Sequence, residues 1–472
     1  LLTLTNCAEK NRTFSTSEIA ILPKPISLDL HKASFAFKAD QTIFSNLDEQ
    51  QIAAQDLQNY INKTARFNLN IDKNNNSSIV FEKKEGLNAQ SYELSVTPKK
   101  ITIYANDVAG YFYGVQTVKQ LMAIETSKDT RHTKYLVPSV TIKDGPRFKW
   151  RAFMLDEARY FHGEVFVKQM LDQMALLKMN TFHWHLIDDA GWRIEIKKYP
   201  LLTKVGAFRA DSEIGTWKSG KTSGQPHGGF YTQEQIKDIV AYAKARNINI
   251  VPEFEMPGHS SAAIAAYTWL GTAGIAIDVP VKFGRLYDNY DVTKPEVITF
   301  MKDVLTEIFE LFPSEVIHIG GDEVGYEVWE KSSSVQKYMK ENNIPTPADL
   351  QINFTNKISH YIEENGRRMM GWNEILGKNI HTDFAEKQAD KEAETVLSKN
   401  VIVHFWKGDL GLLTDAAKKG YGIVNSLHSS TYLDYNYKSI PLEKAYAFDP
   451  IPEGLDAQYH ENIYGLGCQM WS

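Results

Sequence analysis

Short apolar runs alternate with longer amphipathic runs from about residue 148 to the end of the chain. The short runs are rich in β-branched and aromatic residues. They predict eight strands, WRAFMLD, TFHWHLI, INIVPEF, VIHIGG, RRMMGW, VIVHFW, GIVNS and IYGLGCQMW. Between them, runs such as EVFVKQMLDQMALLK and TQEQIKDIVAYAKAR carry apolar residues at helical spacing. This alternation favours a parallel sheet, and eight repeats predict an α/β fold with a (β/α)8 TIM barrel within residues 146–472.

Residues 20–145 carry a different pattern. LDEQQIAAQDLQNYINKT and AGYFYGVQTVKQLMAI predict two amphipathic helices. SIVFEKKE, SYELSVTP and KITIYAND alternate apolar and polar residues, as strands with one buried face do. No pair of acids or histidines in this part suggests chemistry. We therefore predict a small α+β domain that precedes the barrel and supports it without taking part in catalysis.

Polar and aromatic residues follow most of the predicted barrel strands. Catalytic groups of TIM barrels lie at the C-terminal ends of strands, so this recurrence is hard to assign to packing. The residues are Asp156 and Arg159 after the first strand, Asp188 and Asp189 after the second, His259 after the third, Asp322 and Glu323 after the fourth, and Trp372, Trp406 and Trp471 at three later ones.

The most informative of these stretches is VIHIGGDEVG, residues 316–325. Two glycines let the backbone turn after the strand, so that Asp322 and Glu323 both project into the barrel mouth. Like charges this close resist ionising together, so one acid keeps its proton near neutral pH, as a general acid requires. A solvated acidic turn is the alternative interpretation.

Adjacent acids are poorly placed to flank one anomeric carbon. Retaining glycosidases set two carboxylates roughly 5 Å apart on opposite sides of that carbon. Adjacent residues have Cα atoms about 3.8 Å apart and leave the same wall. The nucleophile is therefore either a distant acid or the substrate itself, for example the carbonyl oxygen of a 2-acetamido sugar.

The overall composition narrows the choice of partners. The net charge of −6 gives no electrostatic reason to expect nucleic acid. The 12% aromatic content suits a flat amphipathic ligand such as a sugar, although large cores also use aromatic residues. Two cysteines, Cys7 and Cys468, imply no disulfide framework, and no apolar run is long enough to span a bilayer.

The first 19 residues are predicted to be the remnant of an export signal and a linker. LLTLTNCAEKN is apolar and then polar, with Cys7 at the junction. This pattern is typical of a lipoprotein signal, in which the lipidated Cys7 would tether the protein to a membrane. We expect an exported protein, either periplasmic, attached to the cell envelope or secreted. An ordinary frayed terminus is the alternative.

Taken together, these motifs resemble the β-N-acetylhexosaminidases of glycoside hydrolase family 20. The resemblance runs through FKWRAFMLDEARYF, NTFHWHLIDDAGWRIEI, IVPEFEMPGHSSAA, IHIGGDEV, GWNEIL, TYLDYNY and GCQMWS. It implies exo-acting removal of terminal non-reducing GlcNAc or GalNAc from an oligosaccharide or glycoconjugate, without metal or other cofactor. It also implies retaining, substrate-assisted hydrolysis through an oxazolinium intermediate.

The resemblance implies a role for each matching residue. Glu323 is the general acid and then the base that activates water, Asp322 orients the acetamido group, and Tyr432 hydrogen-bonds its carbonyl oxygen. Among the implied sugar-binding residues, Arg159 and Asp434 bind hydroxyl groups of the sugar. Asp188 and His259 form a relay that orients Glu323. Trp372, Trp406 and Trp471 surround the acetamido methyl group and the sugar face. For Asp189 and Glu374, both a supporting role and a structural role remain open. Glu253 and Glu255 are predicted to be structural.

The end of the chain departs from the family pattern. In the family, an acid that grips a sugar hydroxyl lies just beyond MWS, whereas this chain stops at Ser472. We therefore expect a barrel that is truncated at its C-terminal end and lacks its last helix. The segment between GWRIEI and FYTQEQ is predicted to be a long loop at the mouth that selects among longer glycans.

Three other functions remain open at this stage. His183 and His185 alternate on one strand, which favours a metal-dependent TIM-barrel hydrolase whose site Asp188 and His259 would complete. A sugar-binding module without catalysis is a second alternative. A third keeps the chemistry but releases a disaccharide, as lacto-N-biosidases do.

Overall fold

The computed structural model describes residues 12–73, 76–126, 133–215, 219–284, 288–378 and 392–472. Cys7, the predicted lipidation site, lies outside the described residues. The chain divides into two compact units. The first comprises Leu1–Arg147, Met170–Met179 and Lys244–Ile248, and the second comprises Phe148–Gln169, Asn180–Ala243 and Asn249–Ser472. Within the described ranges, no helix combines the length and apolar character needed to cross a membrane.

The first unit is built on a mixed eight-stranded sheet. Its strands are β1 Ser27–Ala36, β2 Thr42–Phe44, β3 Asn70–Asp72, β4 Ile79–Lys83, β5 Tyr92–Val96, β6 Ile101–Ala105, β7 Ala123–Thr126 and β8 Thr133–Asp144. They are ordered β1-β8-β5-β6-β4-β2-β3, and β7 pairs with β8. This sheet, with the two helices described next, confirms the predicted small α+β domain before the barrel.

The helices of this sheet domain are α1, Asp48–Ala65, and α2, Val108–Leu121. Helix α2 begins where the Asp107 carboxylate accepts the Gly110 N–H at 2.7 Å, which satisfies one of the free donors of its first turn. Helix α1 buries Ala53, Ala54, Leu57 and Ile61 at helical spacing. The two helices pack against each other, and α2 also packs on β5 and β6.

The second unit is a closed barrel of eight parallel strands. They are β9 Trp150–Asp156, β10 Thr181–His185, β15 Asn249–Glu253, β16 Val316–His318, β17 Arg368–Trp372, β18 Val401–Phe405, β19 Gly422–Asn425 and β20 Ile463–Met470. Each strand falls on one of the eight predicted runs, and β20 pairs with β9 to close the ring. The predicted TIM barrel is therefore confirmed.

Short strands and helices connect the barrel strands. The two-residue strands are β11 Ile187–Asp188, β12 Gly191–Trp192, β13 Phe208–Arg209 and β14 His227–Gly228. The helices are α3 Glu164–Leu176, α4 Leu201–Lys204, α5 Gln233–Lys244, α6 Ser261–Ala266, α7 Pro295–Leu311, α8 Glu327–Lys331, α9 Ser333–Glu341, α10 Pro347–Glu364, α11 Leu410–Lys418, α12 His428–Thr431 and α13 Leu442–Ala447. Short 3-10 helices lie at Thr268–Leu270, Asn373–Leu376 and Ala457–Asn462 in the barrel unit, and one at Thr16–Glu18 precedes β1.

Side chains fill the barrel interior in layers. An apolar layer is followed, toward the C-terminal ends of the strands, by a layer of polar and aromatic side chains. One buried apolar cluster contains Val251, Met370 and Ile402, on β15, β17 and β18. Side chains on a strand return to the same face every second residue. Two residues further along, these strands therefore carry Glu253, Trp372 and His404 on the inward face, toward the C-terminal end where the candidate residues lie.

Candidate active site

The acidic pair stands on a turn that only glycine can form. Gly320 and Gly321 have φ angles of 65° and 90°, in the left-handed region. A Cβ at residue 320 would lie 1.6 Å from Glu255 Oε2, and one at residue 321 would lie 2.7 Å from an Ile375 methyl carbon. The turn follows β16 directly. It leaves the side chains of Asp322 and Glu323 14% and 23% exposed at the mouth of the barrel.

His259 connects the acidic pair to a buried acid. Its Nε2 lies 3.7 Å from both Asp322 Oδ2 and Glu323 Oε2. Its Nδ1 lies 3.0 Å from Asp189 Oδ2 and 3.5 Å from Asp188 Oδ1. Burial opposes a charge on the ring, but the surrounding carboxylates outweigh burial and raise the pKa of His259 well above its usual value. A charged imidazolium therefore faces the acidic pair.

Asp322 is the acid whose ionisation is suppressed. Burial raises its pKa to about 7, the positive charge of His259 opposes the rise, and the negative charges of Glu374 and Glu323 add to it. Beneath the turn, burial and the negative charge of Asp322 raise the pKa of Glu255 well above its usual value. The raised pKa that the sequence analysis expects of a general acid is thus found at Asp322, to which the resemblance gives the acetamido group, and burial contributes more to it than like-charge repulsion does.

The predicted relay acid, Asp188, has another main partner. Arg159 Nη2 lies 2.8 Å from Asp188 Oδ2, whereas Asp189 makes the shorter contact with His259. Asp189 also accepts the N–H of Ser261 at 2.9 Å as well as its hydroxyl. Asp189, which the sequence left open, therefore supports the histidine, and Asp188 chiefly holds the arginine.

Arg159 is fixed above an indole ring. Its Nη1 lies 3.5 Å from Asp156 Oδ2, and its guanidinium carbon lies 4.9 Å from the ring centroid of Trp471. Nearby carboxylates raise the pKa of Arg159 above its usual value despite burial. The side chain is 14% exposed, so its planar fork faces the barrel mouth with part of its donor capacity available to a ligand.

Four aromatic residues form a continuous wall around the acidic pair. The rings of Trp406 and Tyr432 are stacked, with centroids 6.2 Å apart and an interplanar angle of 11°. Trp471 lies 6.0 Å from Tyr432 and 6.2 Å from Trp372. Burial raises the pKa of Tyr432 well above its usual value, so its hydroxyl stays a hydrogen-bond donor at neutral pH. The structure thus brings together the four aromatic residues named from the sequence.

Asp434 lies at the exposed edge of this wall. Partial loss of solvent raises its pKa, and the charges of Asp156 and Arg159 also act on it. Asp434 follows Tyr432 by two residues in the sequence.

Two carboxylates fix the indoles: Glu253, which the sequence analysis predicts to be structural, and Glu374, whose role it leaves open. Trp372 Nε1 donates to Glu253 Oε1 at 2.8 Å, and Trp406 Nε1 donates to Glu374 Oε2 at 3.0 Å. Glu253 is itself held at 2.7 Å by His183 Nε2 and at 2.9 Å by His318 Nδ1. Nothing in the sequence around Glu253 distinguishes this role, because its partners lie on other barrel strands.

The two histidines of HWH do not share one site. His183 groups with His318 and His404, whereas His185 groups with Glu253 and Glu255. Burial lowers the pKa of His183 to about 4, so this ring is neutral. His318 and His404 are hydrogen-bonded to each other at 3.2 Å. The four-residue metal centre of the alternative interpretation, with His183, His185, Asp188 and His259, therefore does not assemble, since these residues fall into three clusters.

Two family models match the chain. The model of the glycosyl hydrolase family 20 catalytic domain matches residues 148–472, and that of domain 2 of the same family matches residues 18–145. The chain is 33% identical to the beta-hexosaminidase of Porphyromonas gingivalis, over 100% of this chain and 60% of that protein. It is also 33% identical to the beta-hexosaminidase of Vibrio furnissii, over 96% of this chain and 72% of that protein.

Solved structures of this kind resemble the whole chain. The exo β-N-acetylglucosaminidase of Vibrio harveyi in complex with N-acetylglucosamine has a TM-score of 0.81 and 30% identity, over 96% of this chain and 69% of that one. The β-N-acetylhexosaminidase of Bacteroides fragilis has a TM-score of 0.76 and 28% identity, over 96% and 85%. The chain spans 60% of the length of its Porphyromonas gingivalis relative. Together the two family models match nearly the entire chain, and the chain therefore belongs to glycosyl hydrolase family 20.

Proposed function

We propose that this protein is an exo-acting β-N-acetylhexosaminidase that removes terminal, non-reducing, β-linked N-acetylhexosamine with retention of configuration. Its relatives from Porphyromonas gingivalis and Vibrio furnissii are beta-hexosaminidases. The Vibrio harveyi structure contains N-acetylglucosamine, and a Streptomyces plicatus structure contains GlcNAc as product. The same chemical class of sugar is the proposed substrate here.

The observation that carries this proposal is the one-sided placement of the acidic pair. Asp322 and Glu323 leave the same turn and both lie 3.7 Å from one imidazole nitrogen, so they do not flank a sugar ring from opposite faces. Four of the neighbouring carboxylates already have partners: Asp188 has Arg159, Asp189 has His259, Glu253 has Trp372, and Glu374 has Trp406. The acetamido oxygen of the substrate is therefore the proposed nucleophile.

In the first step, Glu323 protonates the oxygen of the leaving group while the acetamido carbonyl oxygen attacks the anomeric carbon. The bond to the leaving group breaks, and an oxazolinium ring forms. Asp322, in its ionised form, accepts the acetamido N–H and balances the positive charge of that ring. The Tyr432 hydroxyl donates to the carbonyl oxygen. In the second step, Glu323 takes a proton from water, which attacks the anomeric carbon and reopens the ring.

His259 supports both steps without touching the sugar. Its imidazolium lies 3.7 Å from Glu323 and is held on its other side by Asp189 at 3.0 Å. A fixed positive charge at this distance stabilises the negative charge that Glu323 carries once it has donated its proton. The Asp189–His259 pair is therefore proposed to hold Glu323 in place during both steps.

The test is hydrolysis of paired aryl β-GlcNAc and β-GalNAc substrates, with an aryl β-glucoside as the matched control that lacks the amide. Turnover of the first two and none of the glucoside is expected. Equal turnover of the glucoside, or a glycosyl ester trapped on any side chain, would refute participation by the substrate. An aryl lacto-N-bioside run in parallel distinguishes release of a disaccharide from release of a single sugar.

A further inference from the structure

The loop after β9, residues 157–162, carries Arg159 and forms neither helix nor strand. Loops of this kind are held in place by whatever satisfies their backbone groups. Here the N–H of Arg159 donates to Asp156 Oδ1 at 3.1 Å, and the N–H of Phe161 donates to His227 Nε2 at 2.9 Å. The carbonyl groups of the loop have a different kind of partner.

Arg193, which is fully buried, holds the first carbonyls of this loop. Its Nε donates to Glu157 O at 3.0 Å and its Nη2 to Ala158 O at 2.7 Å. Its Nη1 reaches two further carbonyls, Ala207 O at 2.6 Å and Gly229 O at 3.1 Å. The guanidinium thus joins the loop to the segment between β12 and α5.

Residue 191 must be glycine for Arg193 to reach the loop. A Cβ at this position would lie 2.2 Å from Arg193 Nη2 and 2.5 Å from Ala158 O. The Gly-Trp-Arg sequence therefore leaves a gap through which the guanidinium reaches the loop.

Arg209, which is 3% exposed, holds the peptide of Arg159 itself. Its Nη2 donates to Arg159 O at 2.6 Å and its Nη1 to Ala190 O at 2.9 Å. Its Nε donates to Ser212 Oγ at 2.9 Å. The backbone of Arg159 is therefore fixed at its N–H by Asp156 and at its C=O by Arg209.

Burying these two cations is costly. Among the described residues, no carboxylate lies within ion-pair distance of Arg193 or Arg209. Burial lowers their pKa values to about 9 and about 10, so both stay charged at neutral pH. A buried charge without a counter-ion is destabilising unless hydrogen bonds offset the loss of water. Three of the six carbonyl groups that supply those bonds, those of Glu157, Ala158 and Arg159, belong to the loop that presents Arg159.

We propose that Arg209 is a positioning residue for Arg159, and that Arg193 fixes the two peptides that precede it. Arg193 and Arg209 then act as a brace for the side chain that grips the hydroxyl groups of the terminal sugar. This inference depends on the proposed function in one respect, because it takes Arg159 to be a sugar-binding residue. It adds to the expectation that the segment between GWRIEI and FYTQEQ selects longer glycans.

The test is a double-mutant cycle with Arg209→Lys and Arg159→Ala on an aryl β-GlcNAc substrate. Lysine keeps the charge but loses the fork that bonds the two carbonyls. We expect Arg209→Lys to raise KM about tenfold and to change kcat by less than about threefold, because binding of the hydroxyl groups is lost in the ground state and the transition state alike. In the Arg159→Ala background the same substitution should have no further effect on KM.

Arg367→Lys is the matched control. Arg367 also donates to backbone carbonyls, Phe312 O at 2.8 Å and Phe309 O at 2.7 Å, but it precedes β17 at the end of the barrel away from the site. Arg367→Lys should lower the melting temperature and leave KM unchanged. If Arg209→Lys behaves in the same way, or raises KM equally in both backgrounds, Arg209 is merely structural and the proposal is wrong.

Two further measurements keep the proposal testable if Arg209→Lys folds poorly. Ser212→Ala removes one hydrogen bond of Arg209 and should raise KM in the same direction by a few fold. Hydrogen exchange of the peptide 156–162 should accelerate in Ser212→Ala but not in Arg367→Lys, and unchanged exchange would overturn the brace. This second readout needs no turnover, so it separates failure of the brace from failure of the proposed activity.

Discussion

Replacing Asp322 with asparagine is expected to stabilise the folded protein above neutral pH while it removes activity. The Asp322 side chain is only 14% exposed, and its Oδ1 makes no hydrogen bond to any described residue. An ionised carboxylate in that position is poorly solvated, which is why its pKa rises to about 7. Asparagine has nearly the same shape and carries no charge at any pH.

The size and sign of the effect follow from proton linkage. The rise in pKa from 3.8 to about 7 corresponds to about 4 kcal/mol at about 1.4 kcal/mol per pKa unit. Between these two values the folded state keeps a proton that the unfolded state has lost. The contribution of Asp322 to stability is therefore fully present below about pH 4 and is lost as the pH rises through 7. The asparagine side chain has no such dependence, so the Asp322→Asn variant should gain up to about 4 kcal/mol over the wild type at pH 8.

Thermal unfolding of both proteins from pH 4.5 to 8.5, followed by tryptophan fluorescence, measures this difference. All nine tryptophans lie at residue 150 or beyond, so the signal contains no contribution from a tryptophan of residues 20–145. We expect the variant to melt several degrees higher at pH 8, with the gap closing as the pH falls toward 4. Hydrolysis of an aryl β-GlcNAc substrate should show that the same variant has lost most of its kcat, a trade of stability for function.

A variant that is less stable than the wild type at pH 8, or a gap that does not change with pH, would refute the burial argument. Asp189→Asn serves as the control. Asp189 accepts hydrogen bonds from the Ser261 N–H and hydroxyl and lies 3.0 Å from His259. Its replacement should therefore destabilise the barrel at every pH, because it weakens a satisfied buried network.

Three further predictions concern the reaction. Glu323→Gln should lower kcat far more on substrates with poor leaving groups than on activated aryl substrates, which need no protonation, and equal losses would count against the acid role. Glu253→Gln weakens the bond that fixes Trp372, so the ratio of kcat/KM for an N-propionyl over an N-acetyl substrate should rise several-fold; an unchanged ratio would show that Glu253 has no part in setting the pocket. A thiazoline mimic of the cyclised intermediate should inhibit the wild type far more strongly than free GlcNAc does and should lose most of that advantage in Asp322→Asn.

The barrel was predictable because its signal is local and repeated. Each strand is a short apolar run and each long helix an amphipathic one, and eight such units leave few alternatives to a closed parallel sheet. The strand ends then identify the acidic pair, His259 and Arg159, because parallel strands place their C-terminal ends at one rim. The family resemblance supplied Tyr432 and Asp434, which lie outside any strand.

The contacts that hold the site residues in place could not be predicted in the same way. Asp188 and Asp189 are chemically identical neighbours, and only the fold turns one toward Arg159 and the other toward His259. Trp372 and the Glu253 that fixes it are 119 residues apart. Arg209 bonds a carbonyl group, which every residue has, so no sequence pattern marks its partner. Such contacts depend on distances between elements, which periodicity does not encode.

The closure of the barrel by β20 has a consequence for biosynthesis. Cys468 on β20 contacts Ala152 on β9 across 316 residues of sequence. At translation rates of about 5–20 residues per second, the first strand waits roughly 15 to 60 s for the partner that completes the ring. During that interval the nascent chain has an unpaired strand edge and an open apolar interior, both of which invite association with other chains. Trp471 meets Arg159 only when the ring closes, so this part of the candidate site forms in a single step together with the barrel and not by degrees.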